Sequence, residues 1–280
     1  MELDVFHLFI WEPIWFEGTL FEINRVVLLM YLAALMTIGF FLLGVRQKSL
    51  VPKGLQNVTE VGYLFVRNNI AIDVIGPEGA KYAPGLATFF YFIFFSNLLE
   101  IVPGINFPVT SRMAIPAILA LLSWIWFNAV GIKHQGLSYF KETLFPPGVP
   151  WPIYFILTPI EFFSVFVIRP LTLAIRLFAN MMAGHVLLTV FFLFTESLLL
   201  GSNILGKGLS VVTFLVACIL IVFELLVIAI QAYIFTTLTA FYIAESLHGH
   251  GGEEEHAAEP ARDQGADNRE PQYETELATA

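Results

Sequence analysis

Ionisable side chains lie inside the two longest apolar stretches of this 280-residue chain, residues 153–200 and 209–247. A charge at bilayer depth is costly unless it is paired or hydrated, so each such residue is a candidate for ion or proton chemistry. The candidates are Glu161, Arg169, Arg176, His185, Glu196, Glu224 and Glu245, with Asn180 and Gln231 as polar companions.

Arg176 is the most constrained of these groups, because it lies far from either end of its apolar stretch and cannot easily extend its side chain to water. A guanidinium group stays protonated under any realistic condition. A permanent cation at that depth must meet a carboxylate or line a water path. Two alternatives follow: an internal salt bridge with Glu224 or Glu161, or contact with an acidic group on another chain.

The two stretches are each about twice as long as a perpendicular membrane span. They must therefore tilt steeply, or else contain a re-entrant break, for which Pro170 is the best candidate site. An antiparallel hairpin with its turn near residues 201–208 places polar residues opposite one another. The predicted facing pairs are Arg176 with Gln231, His185 with Glu224, and Glu161 with Glu245.

Helical phase separates these residues into different surroundings. Asn180 lies four residues after Arg176 and shares its face, whereas His185, nine residues on, points to the opposite side. In the second stretch, polar residues recur at multiples of seven and form one narrow stripe, which contains Glu224, Gln231 and Glu245. Such a stripe is either a packing seam or a hydrated path, and its two carboxylates favour the hydrated path.

His185 and Glu224 together predict a proton relay. Unperturbed imidazole titrates near pH 6.5, so it can exchange protons with a neighbouring carboxyl close to neutral pH. A hydrogen-bonded clasp between two helices is a compatible alternative. Glu196 lies on nearly the same face as His185 and is either the mouth of the path or a solvated residue near a helix end.

Composition indicates which class of protein holds these residues. The chain is 57% hydrophobic and 13% charged, about half the charged fraction of a soluble domain. These values exclude a disordered chain, a nucleic-acid binder and a soluble enzyme. Further runs predict membrane segments at 26–45, 83–102 and 113–132, and an interfacial amphipathic helix at 54–72. We therefore predict an all-α integral membrane protein with five membrane segments, the last two forming a long, strongly tilted antiparallel hairpin.

The ends of the chain, outside the predicted membrane domain 26–247, differ from it in composition. Residues 248–280 contain nine acidic and two basic residues and predict a disordered tail in which no ligand geometry is fixed, so we expect no metal site. Basic residues concentrate in alternate loops, and the positive-inside rule therefore places residues 1–25 outside and the tail in the cytoplasm. Cys218, within an apolar run, is expected to be a small core residue.

Three motifs make the chain resemble the a subunit of the F-type ATP synthase over about residues 20–247. The most specific motif is PLTLAIRLFANM at 170–181, followed by AGH at 183–185. The others are QAYIF at 231–235 and SNLL at 96–99, which precedes a Pro-Gly pair at 103–104. We expect Asn97 and Glu100 in this last region to mark an outer helix end and turn.

The resemblance implies a proton-translocating subunit that is not catalytic alone and holds no cofactor. Arg176 would face the carboxylates of a rotating c-subunit ring, which two offset aqueous half-channels reach from opposite sides. The other residues carried over are His185 and Glu224 for the outer half-channel, Glu161 and Glu245 toward the inner one, and Asn180 and Gln231 beside the arginine. The implied partners are the c-subunit ring, the b-subunit peripheral stalk, other ATP synthase subunits and membrane lipid, with no nucleic acid. The implied location is a bacterial plasma membrane, with the mitochondrial inner membrane as the alternative.

Two other classes of protein explain the intramembrane charges less well. A self-contained secondary transporter predicts internal repeats, and none is visible in the sequence. An intramembrane metalloenzyme needs several ligands, and His185 is the one histidine at membrane depth.

Overall fold

The computed structural model describes residues 24–46, 54–136, 138–145, 151–201 and 204–248. These ranges are almost entirely helical and contain no strand, which confirms the all-α class. The helices of seven or more residues are α1 (Arg25–Arg46), α2 (Leu55–Val66), α3 (Ala83–Leu98), α4 (Ala114–Gln135), α5 (Ser138–Leu144), α6 (Trp151–Phe163), α7 (Arg169–Leu200) and α8 (Ile204–His248).

Shorter helical pieces join these elements. The π-helix Arg67–Ile72 and the short helix Asp73–Ile75 extend α2, and a second π-helix, Ser164–Ile168, joins α6 to α7. The remaining pieces are the 3-10 helices Pro77–Lys81 and Val109–Ser111. The chain is thus helical from 151 to 200, and a break at Pro170 is wrong. Pro170 is tolerated because it occupies the first turn of α7, directly after the wide turn of the π-helix.

Four helical stretches of the described chain are long and apolar enough to cross a membrane, which confirms the integral membrane class. They are Arg25–Gly44, Ala114–Gln135, Trp151–Leu200 and Ile204–Leu247. The fifth expected segment, 83–102, is shorter in the structure. Helix α3 has 16 residues and ends at Leu98, where the chain turns ahead of Pro103. Five membrane segments therefore remain a prediction.

Helix α3 packs along α1 and α8, and its side chains also join those of α4 and α7 in one buried cluster. Its Ile93 packs with Leu119, Leu177 and Phe235, all of them buried. The outward surfaces carry large apolar side chains instead, such as Phe155, which is 88% exposed. Such a surface suits contact with lipid or other membrane subunits rather than water.

Helix α2, within the predicted interfacial segment 54–72, packs against α1. The Thr59 hydroxyl donates a hydrogen bond to the Phe40 carbonyl of α1 at 3.2 Å, and Gly44 permits this approach because a Cβ there would overlap Thr59. Leu55 and Val58 remain exposed on the other side of α2. Placement at a membrane interface stays a prediction.

Cys218 is exposed, so the prediction of a core residue is wrong. The adjacent Ala217 is completely buried, because helical phase turns one residue toward α7 and the next away from it. The acidic tail beyond residue 248 lies outside the described residues, as do residues 1–23 of the predicted outer segment 1–25.

Candidate functional site

Helices α7 and α8, hereafter the hairpin, pack antiparallel along most of their length. Polar contacts mark their register at three depths: Arg169 with Glu245, Asn180 with Gln231, and Thr195 with Thr213. The chain reverses after Gly201, and α8 begins at Ile204, so the turn is shorter than the expected 201–208.

Arg176 lies on the outward face of the hairpin. Its side chain is exposed, as are those of Thr172, Ala179 and Ala183 on the same side of α7. Among the residues that the structure describes, no hydrogen bond or ion pair holds its guanidinium group. The expected alternative of an internal salt bridge with Glu224 or Glu161 is therefore wrong, since both acids lie away from this cation.

Gln231 was expected to face Arg176, but its amide oxygen accepts a hydrogen bond from the Asn180 amide at 3.3 Å. The contact is shifted by one helical turn, about 5.4 Å, which is within the reach of these side chains. Gln231 is only 3% exposed. The polar stripe of α8 thus faces α7 and serves as the packing seam of the hairpin.

A cluster of three ionisable residues, hereafter the His185 cluster, lies on the opposite side of α7 from Arg176. It contains His185, Glu224 and Glu100, which come from α7, α8 and the turn after α3. The imidazole Nδ1 of His185 lies 3.6 Å from Glu100 Oε1. All three residues are buried, with exposures of 7%, 4% and 4%. The ring of Phe107 packs edge-on to His185 at 5.6 Å.

Glu224 approaches the cluster at a position of α7 that has no side chain, Gly184. A Cβ at Gly184 would overlap the Glu224 carboxylate, so glycine is required for this approach. The contact places Glu224 beside the residue that precedes His185, and a relay between the His185 and Glu224 side chains stays a prediction. Glu224 Oε1 and both oxygens of Glu100 have no hydrogen-bond partner among the described residues. Buried carboxyl oxygens demand such partners, which water in a polar cavity supplies.

A cavity of about 260 Å³ opens beside the cluster. It is lined by Glu100, His185 and Thr189 together with Asn106 and Ile221. Since a water molecule takes up about 30 Å³ of liquid volume, the cavity has room for several. The arrangement can hold water against the Glu100 carboxyl group and the His185 imidazole, which both line the cavity.

Sequence reasoning missed Glu100, which it assigned to an outer helix end. The helix does end there, yet the carboxyl group points into the protein. Its surroundings are polar: Asn97 and Ser96 are completely buried, and the Thr110 hydroxyl bonds the Asn97 side chain. An acidic residue three positions after a Ser-Asn pair, at the end of an apolar span, was the available signal.

Glu245 was expected to face Glu161, but it pairs with Arg169. The two guanidinium nitrogens lie 2.7 and 2.6 Å from the two carboxylate oxygens. The register is shifted here because the long arginine side chain extends toward its partner along the helix axis. Glu161 is half-buried on α6, and Glu196 is exposed near the end of α7. Neither joins the His185 cluster.

A sequence model of the ATP synthase A chain family matches residues 27–244. The chain belongs to this family. It is 47% identical to ATP synthase subunit a of Parafrankia sp. (strain EAN1pec) over 88% of this chain and 84% of that protein. The corresponding protein of Rhodococcus erythropolis is 42% identical over 81% of this chain and 84% of its own length. The corresponding protein of Frankia alni is 43% identical over 90% of this chain and 86% of its own length.

As a member of the ATP synthase A chain family, the chain is a proton-translocating subunit of the membrane sector of the F-type ATP synthase. Other subunits of that complex are its partners. The bacterial relatives and the apolar helices indicate a plasma-membrane protein. The matched range contains Arg176 and the whole His185 cluster, while Glu245 lies one residue beyond it. Across the described residues no group of three or more His, Cys, Asp or Glu side chains is arranged to hold a metal ion.

Proposed function

We propose that Arg176 is the group that meets the carboxylates of a c-subunit ring, and that two offset half-channels of this chain deliver protons to that contact. The observation that carries the proposal is the exposed guanidinium of Arg176, unpaired within the described ranges, on an outward face of small and apolar residues. An unpaired permanent cation at membrane depth requires an acidic partner. Since none contacts it within the described chain, the partner comes from another subunit.

Coulomb attraction gives Arg176 its role. A ring carboxyl that arrives beside a fixed cation is stabilised as the carboxylate and releases its proton. The same cation repels protons and prevents their direct passage between the two half-channels. Rotation then carries the carboxyl group through lipid in its protonated, neutral form, which avoids the cost of moving a charge through the bilayer.

The outer half-channel in this proposal runs through the cavity and the His185 cluster. Its support is the burial of all three residues, and the cavity with room for water that His185 and Glu100 line. A proton entering the cavity can pass between imidazole and carboxyl groups along hydrogen-bonded water. Glu224 on α8 is the last of the three before the seam that leads to Gln231 and Asn180.

The inner half-channel is proposed to begin near Glu161, which is half-buried on α6 just before the π-helix. Glu245 and Arg169 lie on the same side of the molecule, at the end of the hairpin remote from its turn. Glu196 lies at the other end and marks the outer surface in this orientation. The support is the position of these groups along the hairpin. Glu161, Arg169 and Glu245 lie on one side of Arg176, and Glu196 lies on the other.

The same proposal orients the chain with residues 1–25 outside and the acidic tail 248–280 in the cytoplasm, following the loop charges. The c-subunit ring would cover the Arg176 face of the hairpin, and a b-subunit stalk would contact another apolar surface of the chain. Lipid would cover the rest of the exposed apolar residues.

The decisive experiment uses the complete ATP synthase that contains this chain, reconstituted in vesicles. Arg176→Ala should lower ATP-driven proton pumping to less than about a hundredth of wild type, because the charge that organises the contact is lost. A pH-sensitive dye inside the vesicles measures the pumping. Lys207→Ala, which removes an exposed cation near the hairpin turn, should leave pumping unchanged. Normal pumping by Arg176→Ala would contradict the proposal.

A further inference from the structure

Two arginines occupy one stripe of α7. Arg169 and Arg176 are seven residues apart, so they lie within about 20° of each other around the helix and about 10.5 Å apart along it. Both are permanently charged. A ring carboxylate that passes Arg176 would therefore come within reach of two cations, unless one of them is neutralised.

The surroundings of the two arginines differ sharply. Arg176 is exposed and unpaired among the described residues. Arg169 is held by both oxygens of Glu245, at 2.7 and 2.6 Å, with side-chain exposures of 16% and 18%. Its guanidinium carbon also lies 5.0 Å from the centre of the Tyr242 ring. We call Arg169, Glu245 and Tyr242 the Arg169 clamp.

The clamp closes one end of the hairpin from several sides. Tyr139 of α5 and Tyr242 of α8 both lie within electrostatic reach of Arg169 and Glu245, and Tyr242 is also within reach of Arg176. Tyr139 is only 5% exposed. The bidentate geometry, the ring contact and the partial burial hold the charge pair closed and limit its field at Arg176.

We propose that Glu245 is a positioning residue that neutralises Arg169, so that Arg176 is the one uncompensated cation on this stripe of α7. The proposal rests on the function proposed for Arg176 and deepens it. In this role Glu245 keeps its charge and its partner during turnover and carries no proton, so it lies beside the inner half-channel without being part of it, in contrast to the role that the family resemblance implies.

Three variants of the intact, reconstituted ATP synthase separate this role from a structural one. Glu245→Gln leaves Arg169 without its acidic partner, and its guanidinium group cannot lose its proton. We expect ATP-driven pumping to fall about tenfold, because a second positive charge then acts on the ring carboxylate. Arg169→Gln and the double variant Arg169→Gln/Glu245→Gln leave no such cation. Both should pump within about twofold of wild type. In Arg169→Gln the Glu245 carboxyl group can take up a proton and become neutral, and in the double variant the two amide side chains carry no charge.

A purely structural clamp predicts another pattern. All three variants lose the bidentate pair, so equal losses in all three would overturn the proposal, as would normal pumping by Glu245→Gln. Glu245→Asp keeps the charge and should restore most of the pumping. If Glu245→Gln fails to assemble, normal pumping by Arg169→Gln and by the double variant supports the proposal, and a loss in either overturns it.

Two controls complete the design. Ser123→Ala removes a buried contact between α4 and α8, where the Ser123 and Thr239 hydroxyls lie 2.9 Å apart, without changing a charge, and it should pump normally. The ratio of this chain to c subunit in the purified complex verifies assembly of every variant. Arg176→Ala tests the function proposed for Arg176 separately. Normal pumping by that variant would contradict that function, whatever the variants of Arg169 and Glu245 do.

Discussion

At the scale of single residues, the His185 cluster depends on one position that has no side chain. Glu224 can approach the cluster only because Gly184, next to His185, leaves room for its carboxylate. The two acids and the imidazole come from three separate parts of the chain, and each is buried. A methyl group at Gly184 therefore acts on the cluster without altering any ionisable group.

We predict that Gly184→Ala lowers ATP-driven pumping by at least about tenfold. The added methyl group would displace the Glu224 carboxylate, and a small misplacement of a reacting group can greatly slow the step it takes part in. The measurement is dye quenching in vesicles that contain the complete ATP synthase. Gly39→Ala is the matched control, since a Cβ at Gly39 meets nothing within 4 Å. Equal pumping by Gly184→Ala and Gly39→Ala would show that Glu224 does not need this position.

At the scale of elements, the π-helix Ser164–Ile168 sets the rotation of α7 relative to α6. A π-helical turn holds more residues than an α-helical turn, so every residue before it is rotated relative to every residue after it. An uninterrupted α-helix would fix the face of Glu161 relative to Arg169 and Arg176. The π-helix between them rotates Glu161 onto a different face. The Trp124 indole nitrogen of α4 donates a hydrogen bond to the Val165 carbonyl at 3.1 Å and stabilises this irregular turn.

We predict that Trp124→Phe loosens the π-helix. Loss of one hydrogen bond costs about 1 kcal/mol, which corresponds to roughly fivefold faster local amide exchange. Hydrogen exchange of peptides that cover residues 164–169, followed by mass spectrometry on the purified complex, measures the effect. Trp126→Phe makes the same chemical change on the same helix and should leave those amides unchanged. Identical exchange in both variants would contradict the assigned role of Trp124.

At the scale of the whole molecule, the chain separates an inward polar seam from an outward apolar surface. Asn180, Gln231 and Glu224 face the interior of the hairpin, whereas Arg176 faces out among Ala179 and Ala183. Small side chains beside the cation allow another helix to approach closely. The separation leaves one charged position on a surface that is otherwise suited to a rotating apolar partner.

We predict that a cysteine at Ala179, in a Cys218→Ser background, forms a disulfide with a cysteine placed beside the membrane carboxylate of the c subunit. Gel analysis of the oxidised complex measures the product. A cysteine at Leu35, exposed on α1, is the control and should give no such product, because α1 lies outside the hairpin. Equal crosslinking at both positions would contradict a specific ring face.

The sequence by itself determined the class of protein and its principal residues. Long apolar runs require membrane helices, since no other structure except a closed barrel satisfies the backbone in lipid. Arg176 and His185 could be singled out because charges in such runs are costly and therefore rare. The antiparallel hairpin followed from the short polar interval after residue 200, and the contact between Glu224 and the His185 region followed from its register.

Only the tertiary structure decided which groups meet. Glu100 joined the His185 cluster because α3 ends against α7, a contact between segments 85 residues apart that no local pattern encodes. Glu245 paired with Arg169 rather than facing Glu161, because the reach of the side chains and the π-helix shift the contacts by a turn or more. Arg176 has no hydrogen-bond or ion-pair partner within the described part of the chain, because helical phase points it outward. These outcomes depend on the packing angles and side-chain reach of several helices together, which residue spacing within one helix does not specify.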